Sequence, residues 1–332
     1  MFTFSANNTG VILAKAFAES DVQKIVDAIT LYKECKKILV VDHPPTPALN
    51  ALLTALADKM FVHYRDHHLS EKTMYPVMPA NVQAVVVTRE QHPSCSTLVS
   101  DGEFKGHIVL ADEDLDGFLS AMKAVGVSYP ELDSDAAILD GPVSEMTENN
   151  LSHLGFLLMK AWKGLPGHQD PTRQIEINKI VSGYFEAAKS GLFQELGALS
   201  YDFDRKVEAT HVLFKCARIE SSGYRMISIE TNDVFDPVTL AQLMDEGVPV
   251  SGRIIKTGPI SKVHGSQISL ARTKSGEHLI DFQHLVEKAF GPKTDAWGPE
   301  FGIISNTPFL IHLSLTRWIE FKPVLDEELR QK

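Results

Sequence analysis

The chain is short of cysteine, of long apolar runs and of positive charge, and each shortage narrows what it can be. Only Cys35, Cys95 and Cys216 occur among 332 residues, an odd number without a CxxC pair. That argues against a disulfide framework and leads us to expect a reducing, cytoplasmic setting. No apolar stretch approaches the roughly twenty residues that a membrane span needs. The opening MFTFSANNTG has no basic segment followed by an apolar one, so no secretory signal is expected. Lysine and arginine number 32 against 43 aspartates and glutamates, a net charge of −11. This balance disfavours long duplex nucleic acid, whose binding needs many phosphate-neutralising cations. It leaves room for a small phosphorylated substrate, or a short oligonucleotide held in a locally basic or metal-charged cleft. Internal repeats and low-complexity tracts are also lacking.

What remains is an ordinary globular composition, 44% hydrophobic and 23% charged. The length exceeds the usual single domain. A change of texture divides the chain into residues 1–205 and 206–332. The first part alternates short apolar runs with amphipathic helices, the pattern of a parallel α/β sheet with helices on both faces. Helices are expected over Asp21–Lys37, Pro47–Lys59 and Phe118–Ala124, the second opened by proline in its first turn. Strands are expected over Ile38–Val41, Met60–Tyr64, Val82–Thr88, His107–Leu110 and Ala136–Leu139. From Asn150 to about Leu199 the pattern is helical. From about Thr210 the segments HVLFKCARI, YRMISIE, RIIKTG and QISLAR read as strands, with VTLAQLMDEG and FQHLVEKAF as helices, which predicts a smaller α+β domain.

The acids and histidines fall at particular places in this pattern. Asp42, the run Asp66-His67-His68, the trio Asp112/Asp114/Asp116 and Asp140 each follow an expected strand. In an open parallel sheet the carboxyl ends of the strands line one crevice, where ligands bind. Carboxylates gathered there repel one another unless cations neutralise them. Aspartate and imidazole together suit Mn2+, Mg2+ or a similar divalent ion. A carboxylate bridging two ions about 3.5–4 Å apart gives a clamp for phosphoryl hydrolysis.

The segment ILVVDHPPTPALNALLTALADKMFVHYRDHH resembles the second and third motifs of the DHH phosphoesterase superfamily, particularly its RecJ-type exonucleases, with Asp42 and Asp66 separated by 24 positions. VLADEDLDGFLSAM resembles that family's first motif, DxDxDGxxSA. QISLARTKSGEHLIDFQHLVEKAFG resembles the DHH-associated C-terminal domain. The family places its first motif ahead of the other two, whereas here it follows DHH, a permuted order. Where many members carry a histidine upstream of the first motif this chain has Leu110, and Asp112 stands in for it. The family's glycine loop is reduced to Trp297-Gly298-Pro299-Glu300-Phe301-Gly302, without a histidine.

The resemblance implies a two-metal phosphoesterase. Its metal ligands would be Asp42, His67, Asp112, Asp114, Asp116 and Asp140, with Glu145 competing for the place of Asp140 and Asp42 as the bridge between two Mn2+ or Mg2+ ions. His68 would serve the phosphate oxygen or leaving group, and Asp66 would orient a histidine. Arg272, Ser96 and Gly298 would meet the substrate, a short oligonucleotide or nucleotide. Two alternatives stand beside this reading. One is a pyrophosphatase-like hydrolase of small phosphates, and the other a non-catalytic nucleotide-binding relative. A homodimer is compatible with all three.

Overall fold

Uninterrupted apolar runs belong to strands buried on both faces, and this chain has three such runs packed side by side. In the computed structural model, β1 (Phe2–Ala6), β2 (Thr9–Leu13), β3 (Lys37–Val41), β4 (Phe61–Asp66), β5 (Val82–Val86) and β6 (Ile108–Ala111) form one sheet, ordered β1-β2-β6-β3-β4-β5. The β1–β2 pair is antiparallel and every other pair is parallel. The structure describes residues 1–6, 9–15, 17–32, 34–69, 78–140, 146–166, 170–190, 194–215, 218–219, 226–229, 236, 239–240, 242–243, 254–262, 265–272, 280–291, 303–306 and 310–331. The chain divides into two compact units, Met1–Asp202 and Phe203–Lys332.

Period-two alternation assigns the sheet's residues to two cores. Ile12, Ile38, Val40, Val62, Tyr64, Ile108 and Leu110 pack beneath α1 (Val22–Thr30) and α2 (Pro47–Ala57), on Ile25, Ile29, Leu49, Leu52 and Leu56. Val11, Leu13, Leu39, Val41, Val109 and Ala111 face the other way, toward α3 (Leu115–Ala124), α4 (Pro130–Leu139), α5 (His153–Gly164), α6 (Arg173–Ser190) and α7 (Gln194–Leu199). Each fully buried Leu, Ile or Val side chain contributes about 1.5–3 kcal/mol. The double-sided burial therefore fixes the central strands, and with them the places where they end.

The helix α8 (Tyr201–Lys215) is followed by a second six-stranded sheet, ordered Ile303–Asn306, Leu310–Ser314, Gly265–Arg272, Ile254–Lys262, Met226–Ile229, Arg218–Ile219. It is antiparallel except between Met226–Ile229 and Ile254–Lys262. Ile268, Leu270, Ile311 and Leu313 pack against Phe282 and Leu285 of the helix Phe282–Phe290 and against Trp318, Phe321 and Leu325 of the helix Leu315–Gln331. The architecture is thus α/β, a mainly parallel sheet with helices on both faces, followed by a smaller unit of strands and helices.

Three local expectations are corrected. Ala136–Leu139 is the last turn of α4 and not a strand. Four apolar residues do not distinguish the two forms, and Pro130 at the first turn with Glu131 and Asp133 beside it starts a helix. HVLF in HVLFKCARI continues α8, begun at Tyr201, in which the Thr210 hydroxyl donates to the Lys206 carbonyl. Lastly, β1 and β2 form a hairpin where no strand was read, and β2 pairs in parallel with β6.

Candidate metal centre

Sheet register sets the first acids side by side. Val41 pairs with Ala111 on β6 and with Arg65 on β4. The next residues along those strands, Asp112, Asp42 and Asp66, therefore occupy one row at the carboxyl edge. Asp42 and Asp66 are buried there. Asp42 leaves β3 at φ 60, in the left-handed region that residues other than glycine, asparagine and aspartate enter only at about 1–2 kcal/mol. Its amide donates to the Arg65 carbonyl at 3.0 Å.

The turn from β6 into α3 carries the remaining acids of the trio. Asp114 is the N-cap, its Oδ1 accepting from the Gly117 amide at 2.8 Å, and it is exposed. Asp112 is half-buried and accepts from the Glu113 amide at 2.6 Å. Asp116, in the first turn of α3, is buried, where the positive end of the helix favours a carboxylate. The Ser94 hydroxyl and the Cys95 amide (2.8 Å) both donate to it. Glycine is required at 117, because a Cβ there would stand 2.4 Å from the Asp112 carbonyl oxygen. The DG of this motif is a packing requirement of the turn.

His67 is fully buried, with Nδ1 2.9 Å from the His92 carbonyl. A carbonyl only accepts, so Nδ1 holds the ring proton and Nε2 presents a lone pair. Burial pulls this imidazole down to about 4, so it is neutral near pH 7. Its Nε2 lies 3.5 Å from Asp42 Oδ1, 3.7 Å from Asp116 Oδ2 and 3.5 Å from Asp140 Oδ2. Both Asp42 oxygens, Asp140 Oδ2 and His67 Nε2 are buried without a hydrogen-bond partner. Leaving a buried polar group unpaired costs about 1–3 kcal/mol, and more if it is charged. Here four such atoms face one another, all electron-rich.

The electrostatics follow from that crowding. Burial, then the negative charges of Asp116, Asp114, Asp140 and Asp112, push Asp42 well above the carboxylate range. Asp116 is raised to about 8 by burial and by Asp140 and Asp114, against the lowering effect of its hydrogen bonds from Ser94 and Cys95. Burial and Asp114 take Asp112 to about 7. Asp140 is raised to about 6 by burial, with Arg89 pulling the other way. Without a cation, these groups hold protons that ordinary aspartates release.

The donor set fits a divalent ion. One ligand atom each from Asp42, His67, Cys95 and Asp116 lies within 4.8 Å of the other three, and all four residues are buried. Asp42, Asp66 and His68 form a second group, so Asp42 belongs to both. Asp112, Asp114 and Asp140 are members of neither; Asp112 and Asp114 stand at the rim, whereas Asp140 joins the first group through its 3.5 Å approach to His67 Nε2. Asp140 arrives by a different route from the one expected, as the C-cap of α4 and not at the end of a strand.

His68 belongs to a separate chain of contacts. Its Nδ1 lies 2.8 Å from Asp66 Oδ1, and its amide donates to Asp66 Oδ2 at 2.9 Å. Arg89 Nη2 approaches His68 Nε2 at 2.9 Å and Asp140 Oδ1 at 3.4 Å. Arginine only donates, so His68 Nε2 accepts and its Nδ1–H points to Asp66. Sequence reasoning passed over Arg89 and the His92 carbonyl. The signal for both was position, since the loop after β5 leaves the same sheet edge as the acids. Ser96 is buried, its hydroxyl 2.9 Å from that of Ser94 behind Asp116. Arg272 ends the strand Gly265–Arg272 in the second unit, paired with Ile254. Glu145 and Gly298 lie outside the described residues.

No protein-family model matches the sequence, and no curated protein matches it. Among solved structures the chain is similar to RecJ of Thermus thermophilus in complex with Mg2+, at 11% identity and a TM-score of 0.37, over 95% of this chain and 52% of that one. It is also similar to CDC45 of Entamoeba histolytica, at 8% identity and a TM-score of 0.35, over 96% of this chain and 100% of that one. The chain spans about half the length of the RecJ structure. The centre is defined by the buried His67 lone pair and the three carboxylates around it.

Proposed function

We propose that the first unit is a divalent-metal-dependent phosphoesterase centre acting on short oligonucleotides or nucleotides. The observation that carries this reading is the bare Nε2 of His67, buried 3.5–3.7 Å from Asp42, Asp116 and Asp140. Asp42, His67, Asp116 and Asp140 would hold the ion. Asp42 belongs to both ligand groups and would be common to the residues holding a second ion, with Asp66 and His68. Bound divalent ions lower the pKa of a water and polarise a phosphoryl oxygen.

The chain's own residues supply the rest. The His92 carbonyl fixes His67 in the tautomer that leaves Nε2 available, the role that an outer partner plays for a liganding histidine. Ser94 and Cys95 hold Asp116 in place. Asp66 holds the His68 ring through Nδ1–H, so that Nε2, once released by Arg89, could take a proton from water and pass it to a leaving oxygen. Arg89 is half exposed, and its planar guanidinium suits a phosphate oxygen. An incoming phosphate that draws Arg89 away would free His68 Nε2. The second unit would serve as the substrate-gripping domain through Arg272, and the motif order would reflect a permuted chain in which β6 sits beside β3.

The test is hydrolysis of a nitrophenyl phosphodiester with Mn2+ or Mg2+, followed by a panel of short oligonucleotides, nucleotides and pyrophosphate. Turnover is expected with metal and is expected to vanish in Asp42→Ala and His67→Ala. A folded, metal-loaded protein inert toward every phosphoester would overturn catalysis and leave a binding module.

A further inference from the structure

Cys95 is unusual company for the other buried ligand atoms. Its side chain is wholly buried, and its Sγ lies within 4.8 Å of the donor atoms of Asp42, His67 and Asp116. Two neighbours independently mark that space as a ligand position. His67 Nε2 and both oxygens of Asp42 are buried there with no hydrogen-bond partner. The backbone holds the sulfur in place. Ser94 caps the short 3-10 turn Cys95–Leu98, and the Cys95 amide is tied to Asp116 at 2.8 Å, so the thiol and the carboxylate belong to one rigid piece. Cys35 shows the contrast. It is only partly buried, and its Sγ contacts the carbonyl oxygens of Lys37 (3.0 Å) and Gly106 (3.3 Å).

We infer that Cys95 is a metal ligand and that its sulfur turns the site toward a thiophilic first-row ion, Zn2+ or Co2+, in preference to Mg2+. This rests on the metal-centre reading above and deepens it. Mg2+ takes oxygen ligands almost exclusively, whereas thiolate with imidazole and carboxylate is a donor set for Zn2+ and Co2+. The thiol proton leaves to solvent as the sulfur–metal bond forms, with no change of oxidation state. An all-oxygen-and-nitrogen centre would not need the sulfur, and aspartate and histidine alone would leave Mg2+ competitive.

Cobalt titration of the full chain tests this without reference to activity. The wild type is expected to show d–d bands together with an intense near-ultraviolet sulfur-to-cobalt charge-transfer band. In Cys95→Ser the d–d bands should remain and the charge-transfer band should disappear, while Cys35→Ser keeps both. The preference for Zn2+ over Mg2+ should fall by roughly tenfold or more in Cys95→Ser, a loss that even removal of an outer partner can produce. X-ray absorption of the zinc-loaded wild type, which needs no variant, should contain a zinc–sulfur path. Cobalt binding without a charge-transfer band, a band that survives Cys95→Ser, or zinc without sulfur would each overturn the assignment while leaving the metal centre standing. Failure of the wild type to bind any divalent ion would overturn the centre itself.

Discussion

Two helices of the first unit begin in the same way and end up with opposite chemistry. The starts of α3 and α5 both have an N-cap side chain accepting from a glycine amide three residues on, Asp114 from Gly117 at 2.8 Å and Ser152 from Gly155 at 3.0 Å. Each glycine is pressed by a neighbour, since a Cβ at 155 would meet Asp135 Oδ2 at 2.0 Å and one at 117 the Asp112 carbonyl at 2.4 Å. Both regions contain buried carboxylates. Asp135 is satisfied, accepting from the Ser152 hydroxyl and from the Ser152 amide at 3.0 and 3.2 Å. Around α3, no nitrogen or oxygen donates to either Asp42 oxygen, and Asp140 Oδ2 and His67 Nε2 are equally bare. A buried acid with a full set of donors holds structure together. Several buried acids sharing one imidazole lone pair need a cation.

That contrast can be broken most sharply at Asp42. Asp42→Asn should weaken divalent-metal binding, read by calorimetry, by roughly a hundredfold or more, the scale expected for a ligand when outer partners already cost about 10–100-fold. The same change should raise the melting temperature of chelator-treated protein near pH 7, because it removes a buried acid that the fold forces to hold a proton. Asp135→Ala should do the reverse. It is expected to cost about 1–3 kcal/mol in urea unfolding by stranding the Ser152 donors, with metal affinity unchanged. Equal effects of the two substitutions on metal binding would erase the distinction.

Gly117→Ala tests whether the turn into α3 is the scaffold of the centre. With the Asp112 backbone in the way, overpacking should cost about 1–3 kcal/mol and loosen metal binding together with the fold.

The pH dependence sharpens the comparison further. Asp116 and Asp140 are raised in the fold to about 8 and about 6, above an ordinary aspartate near 4. Over that interval these carboxyls, with Asp42 and Asp112 also raised, bind more protons in the native state than in the unfolded chain and outnumber the lowered imidazoles of His43 and His67, so stability falls as pH rises. Thermal melts in chelator should therefore drop from about pH 4 toward about pH 8, and saturating metal should flatten or reverse the trend. A chelated protein that gains stability across this range would contradict the crowded-acid picture. The smallest effect is expected at Asp114→Ala, about 1 kcal/mol from a lost helix cap. Metal affinity should change far less there than at Asp42, since Asp114 is exposed at the rim.

Much of the fold was legible in the residue pattern. The run Ile38–Val41, rich in β-branched residues, reads as a buried strand and is one, and the DG of the α3 turn leaves little choice of geometry. The hairpin β1–β2 was not legible, because FTFSA and TGVIL are short and gain their meaning from β6, about a hundred residues away. At the centre, Asp42, Asp66, His67 and Asp116 could be named from their positions after strands and at a helix start. Asp140 could be named too, though by a strand that is a helix.

What the sequence determined by itself was the kind of side chains at the carboxyl edge of the sheet, because alternation and strand length are local properties. Which of them became buried partners was decided by tertiary structure alone. Register across three strands, the close pass of α3 over Asp112 and the return of the loop after β5 brought His67, Asp116 and the Cys95 sulfur together, while leaving Asp114 in solvent. Those distances depend on packing between segments far apart along the chain, and no local pattern encodes them.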